Sequence, residues 1–146
     1  FTGRVMDRSG KGVPGVLVEI WQVDGNGVYL HSQSGGGKER DKNFQGYGRF
    51  LTDRSGGYYF RTVKPVPYPG RTPHVHVKVS RGNQTLLTTQ CYVAGHPQNK
   101  KDGLLNRIDD VAKRKSLIVD YSPVQGSKLG ELQANFDIVL GVTPKD

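Results

Sequence analysis

Cysteine is almost missing from this chain of 146 residues: Cys91 stands alone. An intrachain disulfide is therefore excluded, and so is a cysteine-built zinc site. Cys91 lies in the run Thr85-Leu86-Leu87-Thr88-Thr89-Gln90-Cys91-Tyr92-Val93, where it reads as a small buried hydrophobe. No apolar run approaches the ~20 residues that a membrane-spanning helix needs. No secretory leader pattern occurs in these residues. The strand-like sequence starts almost at Phe1, which suits a processed or trimmed form, so the compartment is left open between an exported location, toward which the reading leans, and a cytoplasmic one. Acidic residues are also few, 13 against 21 lysines and arginines, which leaves a net charge of +8. The densest basic groups, Lys100-Lys101 and Lys113-Arg114-Lys115, are broken by Asp102, Asp109 and Asp110. They suit solvated loop or helix faces. There is no zinc-finger spacing and no aromatic-basic pattern of an RNA-binding sheet, so no nucleic-acid partner is expected.

What the chain does hold is turn chemistry, with 20 glycines and eight prolines spread between short alternating runs. Val16, Val18 and Ile20 fall on one strand face, with Leu17, Glu19 and Trp21 on the other. Gly3 to Met6 leads in, and Asp24-Gly25-Asn26-Gly27 marks a tight turn. Residues 31–46 suit a long glycine-containing loop. Arg49 to Thr52 and Tyr58 to Thr62 flank a hairpin turn at Asp53 to Gly57. His74 to Ser80 alternates cleanly, and Thr85 to Val93 follows through Arg81-Gly82-Asn83. Leu104, Leu105, Ile108 and Val111 suit one face of a helix of a few turns starting near Asp102. Leu117 to Tyr121 suits a short strand, and Phe136, Ile138 and Leu140 share one face of a last one. The length suits one domain over 1–146, able to bury roughly 70% of the unfolded surface. The expected fold is all-β, an antiparallel sandwich with one short helical insertion.

The chemistry concentrates around His74-Val75-His76. Side chains two apart on a strand share a face, so Val75, Val77 and Val79 can face the core while both imidazoles face a common space. That arrangement suits two ligands on one metal. Taken alone, His-x-His fits a polar strand face better than a metal site. Its neighbours change this. Pro67-Tyr68-Pro69-Gly70-Arg71-Thr72-Pro73 runs straight into the histidines, and prolines on both sides of Tyr68 stiffen the backbone. A rigid loop at a strand end is a good mount for a functional side chain. Tyr29 follows the Asp24–Gly27 turn, which a sandwich can bring to the same end. Tyr58, Tyr59, Tyr92 and Tyr121 lack such a context and are assigned to packing or to a rim. Phenolate is a hard anionic donor, so tyrosines with imidazoles favour Fe(III) over zinc or copper(I). No carboxylate stands beside the histidine pair, which argues against a 2-His-1-carboxylate site.

These residues resemble the intradiol ring-cleavage dioxygenases, the family of protocatechuate 3,4-dioxygenase and catechol 1,2-dioxygenase. The resemblance begins at Gly3-Arg4-Val5 and runs through Val13-Pro14-Gly15-Val16-Leu17-Val18-Glu19-Ile20-Trp21-Gln22. It resumes at Gly48 to Asp53, Gly57 to Thr62, Pro67-Tyr68-Pro69, Arg71 to His76, Leu87 to Gln90 and Phe136 to Leu140. It implies a transthyretin-like sandwich and a mononuclear non-haem Fe(III) held by Tyr29, Tyr68, His74 and His76. It further implies that Tyr68 is displaced when substrate binds, that Arg71 sits beside the reacting carbons, and that Gln90 lies near the substrate. The implied partners are a small aromatic diol and dioxygen, and the implied product is a muconate-type diacid; self-association is left open. Tyr68 and His74 are six positions apart, a tight spacing similar to that of small members of the family. Lys78, Arg49 and Arg61 are the cations considered for a substrate carboxylate. The competing readings are a non-catalytic transthyretin-like binding module, which shares the Gly-Arg-Val and Gly-Tyr-Tyr-Phe segments, and a zinc or copper site on His74 and His76.

Overall fold

The computed structural model describes residues 1–30 and 38–146. The part of the expected 31–46 loop at 31–37 lies outside the described residues. The strands are β1 (Thr2–Met6), β2 (Leu17–Trp21), β3 (Tyr47–Leu51), β4 (Gly57–Tyr59), β5 (His74–Arg81) and β6 (Gln84–Val93). Four two-residue strands follow: β7 (Ile118–Val119), β8 (Ser122–Pro123), β9 (Leu132–Gln133) and β10 (Ile138–Val139). One sheet has the order β3-β2-β5-β6-β7, a second has β10-β1-β4, and β8 pairs with β9.

Alternation explains the layering. The inward residues Val18, Ile20, Val75, Val77, Val79, Leu87 and Cys91 of the larger sheet are buried. They meet Val5, Tyr58 and Ile138 of the smaller sheet in one hydrophobic cluster. Burying such side chains on both inner faces drives a sandwich together. The pairings are antiparallel except at two edges, where β10 runs parallel to β1 and β7 runs parallel to β6. Tyr58 belongs to packing, as expected: it is buried and donates its hydroxyl to the Phe136 carbonyl.

The helical insertion differs from one helix of a few turns. It is split into α1 (Gly103–Asn106) and α2 (Val111–Ser116), after a 3₁₀ turn at Pro97–Lys100. Asp102 caps α1, and Asp110 caps α2 by accepting the N–H groups of Ala112 and Lys113. A second cap restarts the helix, so the four apolar residues never share one stripe. Leu105 is buried, whereas Val111 is half exposed.

The outward face of the larger sheet carries the polar residues that matter. Register sets Trp21 opposite His76, and His76 opposite Gln90. His74 lies opposite Tyr92. A row of functional side chains thus crosses three adjacent strands.

Candidate metal centre

Two turns deliver the tyrosines to this row. In Asp24–Gly27, the Gly27 N–H donates to the Asp24 carbonyl at 3.0 Å, and Gly27 has φ +83°, a conformation that favours glycine. The buried Asp24 carboxylate holds the turn. Its Oδ1 accepts from the N–H groups of Asn26 and Val28, and its Oδ2 accepts from Asp41 N–H at 2.6 Å. Tyr29 leaves this anchored turn. In Tyr68-Pro69-Gly70-Arg71, proline followed by a glycine at φ +78° forms the type II pattern. Arg71 N–H donates to the Tyr68 carbonyl at 2.9 Å. Tyr68 and Arg71 are thereby fixed as neighbours.

Four donor atoms converge. Tyr29 Oη lies 2.9 Å from His76 Nε2, 3.5 Å from His74 Nε2 and 3.4 Å from Tyr68 Oη. The two Nε2 atoms are 3.2 Å apart. Donors about 2.0–2.1 Å from one ion and set 90–110° apart would be separated by about 2.8–3.4 Å; three of these four spacings fall in that range and the fourth lies just above it, which fits one metal ion. Among the described residues no three His, Cys, Asp or Glu side chains cluster as a metal site. The set therefore depends on its tyrosines.

Electrostatics prepare the histidines. His74 Nδ1 is 2.7 Å from the Thr72 carbonyl, which can only accept, so Nδ1 carries the hydrogen and Nε2 presents a bare lone pair. Burial pulls His74 down to about 4 and His76 down to about 3, and the charge of Arg71 opposes protonation of both. Both imidazoles are neutral at physiological pH, the form that binds metals. Burial, with the hydrogen bond to Tyr68, pushes the Tyr29 phenol well above its ordinary range. A bound cation reverses that direction. His76 also stacks flat on Trp21, with centroids 4.9 Å apart and planes 3° apart.

Arg71 is the centre of a second network. Its Nε donates to Asp102 Oδ2 at 2.9 Å, its Nη2 to Gln90 Oε1 at 2.5 Å, and its Nη1 to Tyr68 Oη at 3.4 Å. Gln90 Oε1 also accepts from Tyr92 Oη at 3.1 Å. All six sequence-selected residues, Tyr29, Tyr68, Arg71, His74, His76 and Gln90, thus come together. Four others were missed as parts of the site: Asp24, Asp102, Thr72 and Trp21. Asp102 had a signal only as a helix cap, and Trp21 only as the residue two beyond Glu19 on its strand face. The three cations considered for a substrate carboxylate lie elsewhere. Lys78 Nζ is 3.2 Å from Glu19, Arg61 is 2.6 Å from Glu131, and Arg49 is exposed on β3.

A cavity of about 690 Å³ opens beside the donors, lined by Trp21, Tyr29, Leu30, Gly46, Tyr47, Tyr68 and His76. A larger one, about 740 Å³, lies on the other side of Trp21 and Tyr47 and reaches Arg49 and Arg61. The first is the relevant one, because it touches three of the four donor residues.

A family model described as Dioxygenase matches residues 1–142. The protocatechuate 3,4-dioxygenase beta chain of Burkholderia cepacia is 37% identical over 148 residues, which cover 95% of this chain and 62% of that protein. Hydroxyquinol 1,2-dioxygenase of Rhizobium sp. is 29% identical over 145 residues, covering 87% of this chain and 46% of that protein. The chain thus spans less than two thirds of the length of these relatives. Among solved structures, the dioxygenase domain of a dioxygenase carbohydrate-binding protein fusion from Streptomyces sp. SirexAA-E superposes with a TM-score of 0.70 at 32% identity, covering 97% of this chain and 77% of that one. An intradiol ring-cleavage dioxygenase from Tetranychus urticae shares the fold at a TM-score of 0.75 and 21% identity, covering 99% of this chain and 81% of that one. With a family model matching residues 1–142 and these relatives along its length, the chain belongs to the intradiol ring-cleavage dioxygenase family.

Proposed function

We propose that this chain is an Fe(III)-dependent intradiol dioxygenase. It opens a catechol-type ring between the two hydroxylated carbons, adds both atoms of O2 and yields a muconate-type dicarboxylic acid. The observation that carries this is the convergence on Tyr29 Oη of the Tyr68 phenolic oxygen and two neutral imidazole nitrogens, at 2.9–3.5 Å, with the two nitrogens 3.2 Å apart. The family uses non-haem iron, and hard phenolate donors suit a trivalent ion. Tyr29, Tyr68, His74 and His76 would hold it. When bound, the iron supplies a Lewis-acidic, redox-active centre at which a catecholate becomes reactive toward O2.

The chain's own residues then have definable tasks. The cavity walls of Trp21, Leu30 and Tyr47 take the aromatic ring. A diphenol must lose protons to bind as an anion. Tyr68 Oη, at the cavity wall and within 3.4 Å of Arg71, would accept one as a phenolate and become the neutral phenol. Arg71 stays charged while Asp102 and Gln90 fix its fork, so it can stabilise negative charge developing on the ring. His74 and His76 are neutral, so they would serve as ligands and not as carriers of the substrate's protons.

Oxygen uptake tests this with protein expressed in iron-replete medium. Catechols should consume one O2 per ring and yield the diacid, detected by its absorbance. Absence of uptake across catechol, hydroxyquinol and protocatechuate, in protein containing iron, contradicts the assignment.

A further inference from the structure

Among the described residues, no lysine or arginine lines the cavity beside the four donors. Trp21, Leu30, Tyr47 and Tyr68 form its walls, with Tyr29 and His76 at the donor end. Nearby positive charges are committed elsewhere. Lys78 pairs with Glu19 and Arg61 with Glu131. Arg71 spends its Nε and Nη2 on Asp102 and Gln90. Arg40 donates to the Phe44 carbonyl at 2.9 Å and lines, with Lys42, a separate cavity of about 430 Å³ beyond Leu30 and Tyr47. Arg49 belongs to the cavity on the far side of Trp21 and Tyr47. Residues 31–37, outside the described residues, contain neither lysine nor arginine and one histidine, His31.

Tyr47 is the partition. It borders all three cavities, and its hydroxyl donates to Glu19 Oε1 at 2.5 Å. Glu19 is held in turn by Lys78 across the β2–β5 pairing. The ring is thus tethered as a wall, and its hydroxyl hydrogen is used. A diol that reaches the donors through its two oxygens turns its other ring positions toward Trp21, Leu30 and Tyr47. A carboxylate there finds no positive partner among the described lining residues and sets its charge against carbon surfaces, which is unfavourable. An uncharged substituent gains from the same surfaces.

We infer that this chain selects catechols whose ring substituents are uncharged and discriminates against ring carboxylates; this rests on the catechol-cleaving function proposed above. The net charge of +8 speeds encounter with any anion but supplies no partner inside the pocket.

The test compares kcat/KM from oxygen uptake for catechol, 3,4-dihydroxybenzoate and the methyl ester of 3,4-dihydroxybenzoate, using the iron-loaded full chain. The ester keeps the size of the substituent while removing its charge. Catechol and the ester should exceed the acid at least tenfold. Leu30→Arg, at a partly exposed wall position, places a guanidinium at the pocket and should raise the acid-to-ester ratio at least tenfold. An acid turned over as well as its ester by the wild-type protein overturns the inference, and so does a ratio that Leu30→Arg leaves unchanged. No uptake with any of the three overturns the proposed catalysis itself, and the inference falls with it.

Discussion

Arg71 and Asp102 form an ion pair of 2.9 Å, and the carboxylate side chain is fully buried. The same Oδ2 accepts Thr72 N–H at 3.0 Å, while Oδ1 accepts the N–H groups of Leu104 and Leu105 at 3.1 Å each. All four partners are donors, so a carboxylate alone satisfies both edges. Thr72 passes the order on, because its carbonyl fixes His74 Nδ1. One buried side chain thus joins the helical insertion, the arginine and the backbone that orients a proposed metal ligand.

Asp102→Asn should therefore disturb function beyond its cost in stability. An amide presents an acceptor to one edge and two hydrogens to the other. The expected destabilisation is about 1–3 kcal/mol, read by denaturant midpoint. kcat/KM should fall roughly 10–100-fold, the usual range for a group that orients a site residue. Unchanged kcat/KM would mean that Arg71 keeps its position without the pair.

Asp24 plays the matching role for Tyr29. Asp24→Ala leaves the N–H groups of Asn26, Val28 and Asp41 without their acceptor. A loss of about 1–3 kcal/mol is expected, together with lower iron content after purification. Iron content equal to wild type would show that the Tyr29 turn holds its place unaided.

Trp21 supports His76 through a flat stack. Trp21→Leu should weaken iron retention about tenfold, measured by competition with a chelator, whereas Trp21→Phe should keep most of it. Equal retention in all three proteins would remove Trp21 from the site.

Acid should loosen the metal-free fold in a defined window. His74 at about 4 and His76 at about 3 stand below the ordinary 6.5, chiefly through burial. Below pH 6.5 the unfolded chain takes up protons that the folded chain refuses. The contribution is whole above 6.5 and is lost as pH falls through about 4 and then about 3. Asp24 and Asp102, held below 3.8, add their own losses only at lower pH. The Tm of metal-free protein should drop between about pH 7 and pH 4.5, and His76→Gln should flatten that drop. A wild-type Tm constant over this range contradicts the buried, neutral pair.

Much of this was legible in the sequence because it obeys local rules. Alternation in Val75, Val77 and Val79 sets which way His74 and His76 point, and Pro69-Gly70 sets the turn that pairs Tyr68 with Arg71. The role of Asp102 was not legible, because its contact with Arg71 spans 31 residues and its sequence context is that of a helix cap. The convergence of Tyr29 depended on tertiary packing of a turn whose anchor, Asp24, looked like ordinary turn chemistry. The helix split for a local reason that competed with periodicity: Asp110 caps α2, and that outweighed the apolar spacing that runs on to Val111.

The visible absorption spectrum of protein purified from iron-replete cells, read beside its iron content, tests the four-donor site most directly. One iron per chain with a broad tyrosinate-to-Fe(III) band is expected. The band and the iron should both be lost in Tyr29→Phe, while Tyr68→Phe should keep iron with a weakened band. A colourless wild-type protein without iron, or a band that survives both substitutions unchanged, would contradict the site.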